Sequence, residues 1–411
     1  MRVPPVVFLA VLLVGWSGCF GDALSPSDDP GPSRGAAAAF AFLPATPAVL
    51  PCDGCFEPAS AVDQQGRIYL AAHRVENVAV STDGGQSFTV KPVPDPPSPT
   101  DQGSGASDDV VQVAPWGEVF YHELWSDSGG ILGGGIHVAG SFDGGDTWPT
   151  NVFVSVRTMP TSRAFTADRQ WLAFHGDATV YLVFNCGLSV DICLMESSDR
   201  GLTWSEARNV VLPVDHSFPS PAGFPAVGPD GTLLVPYFAD PRSDGTLGAR
   251  TVRVSSSSDG GRTWTPSTVF THPVEAALTG GGWPESTILV DGTWVASWSD
   301  ANDAMWVAVS HDEGANWEAG TSDSAMTGPI GGHPFLRPRQ DGGFDSVWFG
   351  EKGVGAGRFD RQGTLLSVAL SADEGGGYSD YPFFDHDAQD RVVMPFIGPD
   401  GNGLHVAITN R

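Results

Sequence analysis

The sequence predicts an all-β fold, a seven-bladed β-propeller, on three observations. A short box recurs five times at nearly even spacing, and a strand–turn–strand opening recurs seven times. Glycine and proline supply 52 and 33 of the 411 residues, a proportion suited to a chain of many tight turns. No amphipathic helical period of useful length interrupts the pattern.

The boxes are Ser81–Phe88, Ser141–Trp148, Ser197–Trp204, Ser257–Trp264 and Ser310–Trp317. They share S-x-D-x-G-x-[ST]-[WF], with Asn316 in the hydroxyl position of the fifth, and their aspartates lie 60, 56, 60 and 53 residues apart. A period of this size means stacked supersecondary units. The chemistry is that of a hairpin turn. The aspartate accepts backbone N–H bonds, the glycine supplies positive φ, and the aromatic ring starts the next strand. Alternating runs such as VRVSSSS and MWVAVS precede the boxes and read as strands.

The openings begin at Glu57, Asp109, Asp168, Phe224, Trp283, His333 and Tyr381, one for each blade. The last has only three strands before Arg411. The run Ala39–Leu50 is expected to pair near Leu404–Thr409, supply the missing outer strand and close the ring without an open edge. Six blades is the alternative if two openings share one blade.

The first 18 residues read as a signal peptide: Met1-Arg2, then an apolar run from Val3 to Val14, too short to span a bilayer. Cys19 follows Ser17-Gly18 in a setting that resembles a lipobox, in which the cysteine is lipidated. Residues 19–38, rich in Pro, Ser, Ala and Gly, read as a tether, and residues 39–411 as the propeller. The expected location is the cell surface, anchored by lipid, or else secreted. Setting Cys19 aside leaves Cys52, Cys55, Cys186 and Cys193, which read as two local disulfides, 52–55 and 186–193, or alternatively as one zinc site.

Acidic residues outnumber basic ones 48 to 21, for a net charge of −27, and Lys91 and Lys352 are the only lysines. Such a surface repels phosphate backbones and anionic lipid headgroups, which argues against nucleic-acid partners and against membrane contact other than through the lipid anchor. The expected partner is an extracellular glycan or glycoprotein, met by a monomer. No cofactor is expected. Calcium at Asp240–Asp244 or at Asp385 and Asp387 is the alternative to turn capping there.

At its boxes the chain resembles the Asp-box, or BNR, repeat of the sialidase superfamily, over Phe40 to the C-terminus. The resemblance implies that the boxes are scaffold on the blade rims. It also implies a tyrosine nucleophile paired with a glutamate, and arginines gripping a substrate carboxylate. Two segments are similar to pieces of that site, PESTILVDGTW around Glu285 and GYSDY around Tyr378. On this reading Tyr378 and Glu285 are catalytic, and Arg74, just before the first box, binds substrate. Arg337 or Arg358 takes the place of a further arginine. Asp168, Arg169, Trp283 and His333 sit at blade openings, where carboxylates beside aromatic rings suit sugars. The function expected is an exo-α-sialidase-like glycosidase acting on extracellular glycans. A non-catalytic glycan- or protein-binding propeller and an assembly scaffold are the alternatives. Two carboxyls, or a Tyr–Glu pair, converging in one pocket would favour the enzyme.

Overall fold

The computed structural model describes residues 40–410 except 48–49, 51–54, 74, 98–105, 126–134, 157–166, 187–190, 211–221, 240–250, 274–282, 301, 303, 322–333, 351–352, 372–382 and 399–402. Cys19, Cys52, Arg74, Asp240, Asp244, His333 and Tyr378 lie outside the described residues.

Seven antiparallel sheets of four strands form a seven-bladed propeller, and the described residues contain no helix. The inner strands are Ala59–Val62, Ala106–Val113, Asp168–His175, Ala226–Val227, Glu285–Ile288, Phe335–Pro338 and Asp385–His386, for blades 1 to 7. In blades 1 to 6 the other three strands follow outward in chain order. Blade 7 takes its outer strand from the N-terminal side: Thr46 pairs with Val406, Pro47 with His405, and Phe42 bridges Thr409. The ring therefore closes as the sequence led us to expect, and the six-blade alternative is excluded.

Chain direction gives the two ends of the propeller different construction. At one end, inner strands pass to second strands through short turns, residues 63–67, 114–118, 228–232, 289–293, 339–343 and 387–391. Each is closed by an i+3 amide, for example Gly66 N to Asp63 O at 2.9 Å and Gly292 N to Leu289 O at 2.9 Å. The boxes lie at this same end, between third and fourth strands. We call it the turn face. The outer strands end, the next inner strands begin, and second strands give way to third strands at the opposite end, the loop face.

All five boxes fold alike. In Ser257–Trp264 the Ser257 hydroxyl donates to Asp259 (2.8 Å) and accepts from Gly261 N (2.8 Å), while Thr263 donates its N–H (2.9 Å) and its hydroxyl (2.7 Å) to Asp259. These bonds, led by the Thr and Ser hydroxyl-to-carboxylate contacts, hold Asp83 and Asp143 down to about 2. The same pattern lowers Asp259.

Blades pack through apolar inner strands, and at the axis the channel is filled by rings. Trp171, Phe224, Phe335 and Phe383, from blades 3, 4, 6 and 7, meet at centroid distances of 4.8 to 6.4 Å. Trp171 and Phe335 are fully buried. Blades 4 and 5 approach so closely here that a Cβ on Gly223 would lie 1.7 Å from Pro284 O.

Cys186 and Cys193 form a disulfide across the second and third strands of blade 3, and Cys55 is also disulfide-bonded. Oxidised sulfurs cannot act as thiolate ligands, so the zinc alternative fails. Asp385 accepts the Val62 and His386 amides at 2.8 Å each, and Asp387 pairs with Arg391. Both carboxylates serve the closing blade.

Candidate functional site

On the loop face, charged side chains from three neighbouring blades converge. Glu57 precedes the inner strand of blade 1, and His73 follows its second strand. Asp108 lies in the inner strand of blade 2 and Arg169 in that of blade 3. Both of those inner strands carry a register break, between Ser107 and Val110 and between Asp168 and Trp171. A bulge turns an extra side chain out of the ladder, which is how Asp108 and Arg169 come to face the axis. Glu57, Asp108 and Arg169 have φ of 55°, 57° and 52°. Left-handed backbone at a non-glycine residue costs roughly 1–3 kcal/mol. Three such residues in one cluster mark a geometry held against strain.

Arg169 Nη1 lies 3.0 Å from Glu57 Oε1 and 3.8 Å from Asp108 Oδ2, and its guanidinium stacks over the Trp283 ring of blade 5 at 4.5 Å. His73 Nδ1 is 3.5 Å from Glu57 Oε2 and 3.4 Å from Asp108 Oδ1, with its ring stacked on Phe56 at 3.9 Å. The Asp108 amide donates to the same Nδ1 at 2.8 Å. Glu57, His73 and Asp108 each offer a ligand atom within 4.8 Å of the others, so this trio is the group among the described residues that could hold a metal ion. Arg169 already supplies positive charge there, which disfavours a cation.

Burial pushes the Glu57 carboxyl up, against the opposing pull of His73 and Arg169. Burial acts on Asp108 in the same sense, but His73 and Arg169 outweigh it and hold that carboxyl down. Burial alone would lower His73; its two carboxylate neighbours raise it to about 9. The Asp108 amide, in contrast, needs a lone pair on Nδ1, which favours the neutral Nε2–H tautomer. These two demands are reconciled if one proton serves Glu57 and His73 together: with the proton on Glu57, Nδ1 is free to accept the amide.

Behind the cluster a polar chain crosses blade 2. Asp109 is fully buried and accepts the Val75 and Glu76 amides. Burial, then repulsion from Glu123, lifts it to about 8, so it keeps its proton at neutral pH. Next to it, Tyr121 donates to Glu123 at 2.7 Å. Glu123 meets His137 Nδ1 at 2.6 Å, and His137 Nε2 meets Asn151 at 2.9 Å.

The residues singled out from sequence divide as follows. Arg169 and Trp283 belong to this cluster. The backbone of Asp168 lies beside it, in the bulge. Glu285 is deeper: it is buried, takes the Phe224 amide on both oxygens (3.3 and 3.2 Å), and burial raises it well above the usual carboxylate range. Arg337 stacks under the rings from the turn-face side. Arg358 stacks on Phe40 and reaches Asp345, far from the mouth in role. Glu57, His73 and Asp108 were not anticipated. Glu57 opened the first blade in the sequence pattern, and a charged residue at an opening where other blades carry rings was the available signal. Nothing in the sequence marked His73.

No protein-family model and no curated protein matches the chain. Solved structures do. A Penicillium chrysogenum α-L-arabinanase superposes with a TM-score of 0.53 at 11% identity, covering 89% of this chain and 98% of its own. Virginiamycin B lyase from Staphylococcus aureus gives 0.54 at 11% identity, covering 90% and 99%. A Hadza microbial sialidase gives 0.50 at 16% identity, covering 83% and 73%. Identities this low establish a shared propeller fold. They leave the chemistry to be argued from the site.

Proposed function

We propose that the protein is a surface-tethered glycoside hydrolase of the Asp-box propeller kind, acting on extracellular glycans at its loop face. The observation that carries this reading is the pair Glu57 and Asp108, two carboxyls in one mouth with environments that drive their proton affinities apart. Such a pair divides acid from base. Glu57, shifted up, donates a proton to the leaving oxygen; Asp108, shifted down, stays ionised as base or nucleophile. Their ligand atoms lie within 4.8 Å, closer than the separation of roughly 6.5–9.5 Å that leaves room for a water in inverting enzymes. Retention of configuration is the outcome this geometry favours. His73 and Arg169 position both carboxyls and balance their charge. Asp108 and Arg169 keep 12% and 16% of their side-chain surface exposed, so substrate meets them first.

The sialidase-type variant of this reading puts Tyr378 and Glu285 to work, with Arg74 and Arg169 on a substrate carboxylate. Glu285 is occupied by the Phe224 amide, and Arg169 by Glu57, which favours the Glu57–Asp108 assignment. Signal cleavage and lipidation at Cys19 complete the proposal. A panel of aryl glycosides, sialosides and arabinosides tests it, run with wild type, Glu57→Gln and Asp108→Asn. Turnover of at least one substrate that falls about 100- to 10,000-fold in both variants supports the assignment. Glycan binding without turnover in the wild type replaces it with a binding module.

A further inference from the structure

On the turn face the channel below the ring layer opens as a cavity of about 250 Å³. Residues from all seven blades line it. Its walls mix apolar side chains, Leu172 and Ile288 among them, with the polar Gln112, Thr287 and Asp385, and its roof is Arg337. The Arg337 guanidinium sits 4.6 Å from the Phe224 ring, 5.1 Å from Phe335 and 4.6 Å from Phe383. Nη1 donates to Leu336 O at 3.0 Å. No carboxylate among the described residues lies within ion-pair distance of it. The acids nearest it electrostatically are Asp385 and Glu285. Burial pushes both upward, and both already accept backbone amides. On the same wall Ser286 is 3% exposed, and its hydroxyl has no hydrogen-bond partner.

A guanidinium carries five N–H donors, and one carbonyl plus four rings, Phe384 at 6.0 Å being the fourth, leave most of them unspent. In a chain of net charge −27, an arginine held over rings in the channel without a carboxylate partner asks for an anion; Arg200, also over rings, sits at a blade rim instead.

We infer that this cavity is a second ligand site, separate from the loop-face cluster, which takes a small organic carboxylate: the acid group on Arg337 and Ser286, the apolar body along Leu172 and Ile288. The volume equals about eight waters of liquid and suits one compact acid rather than an oligosaccharide. Arg337 is thus a carboxylate receptor on the opposite face from any glycan chemistry.

Titration calorimetry of the full chain with sodium benzoate, against benzamide and against chloride at equal ionic strength, tests this. Benzoate should bind saturably and benzamide should not. Arg337→Met should weaken benzoate about tenfold or more, as loss of a charge-assisted contact does. Ser286→Ala should weaken it less, and Arg169→Met, at the other mouth, should leave it unchanged. If Arg337→Met does not fold, the benzoate–benzamide contrast in the wild type still decides. Absence of saturable binding, equal binding of benzamide, undiminished binding in folded Arg337→Met, or loss in Arg169→Met overturns the assignment.

Discussion

The two faces of the propeller are built from the same strands and spend their polar groups in opposite ways. On the turn face, carboxylates are consumed locally. Asp259 is satisfied within its own hairpin by Ser257 and Thr263, and glycines take most of the positive φ that the turns need, with Arg200, Glu313 and Asp390 taking it singly in three of them. On the loop face, Glu57, Asp108 and Arg169 take positive φ together in one cluster, and the two carboxylates share the Arg169 guanidinium across blades instead of capping their own turns. One face therefore satisfies its carboxylates hairpin by hairpin. The other gathers strained backbone and buried charge from three blades at one place, which stable folds tolerate at functional sites.

Substitutions should separate the two faces. The largest effect expected is on turnover: Asp108→Asn and Glu57→Gln should each reduce kcat/KM about 100- to 10,000-fold, with a smaller loss of thermal stability in Asp108→Asn, whose carboxylate His73 and Arg169 hold ionised in the fold. Steady-state kinetics beside calorimetric melting would show it. The reverse signature is expected at Ser257→Ala. The Gly261 amide would lose its acceptor in a buried position, at a cost of about 1–3 kcal/mol in denaturant unfolding, with kcat/KM unchanged.

Reducing the Cys186–Cys193 disulfide, which closes a loop of sequence separation 7, should cost about 2–3 kcal/mol. It should be visible as a lower unfolding midpoint in dithiothreitol. A smaller effect is expected from pH. Asp83 and Asp143 sit at about 2 in the folded chain, against about 3.9 unfolded. Between those values the unfolded chain binds more protons. The stability these boxes contribute is therefore complete above about pH 4 and fades as pH falls toward 2. An unfolding midpoint independent of pH across that window would contradict the box chemistry.

The contrast also explains what could be read from the sequence. The turn face was legible because its chemistry is local: Ser257, Asp259, Gly261 and Thr263 lie within one box, and the same spacing recurs around the ring. Blade number and closure followed, since Thr46 and Phe42 supply the alternating strand that blade 7 lacked. The loop-face cluster was only half legible. Arg169 and Trp283 stood out at blade openings. His73 and Asp108 lie 35 residues apart and are joined by a bulge, which no period announces. Glu285, read as a reacting group from a short similar segment, accepts the Phe224 amide between blades 4 and 5. A glutamate at the head of an inner strand looks the same in sequence in either role.

The most direct test of the account is a comparison of leaving groups: kcat/KM for wild type and Glu57→Gln across aryl glycosides of rising phenol pKa, with Tyr378→Phe and Glu285→Gln measured alongside. If Glu57 is the proton donor, its variant should fall progressively further behind wild type as the leaving group becomes poorer, and Tyr378→Phe should remain active. A Glu57→Gln enzyme that tracks wild type across the series, with activity abolished instead in Tyr378→Phe, would contradict the assignment and return the chemistry to the sialidase-type pair.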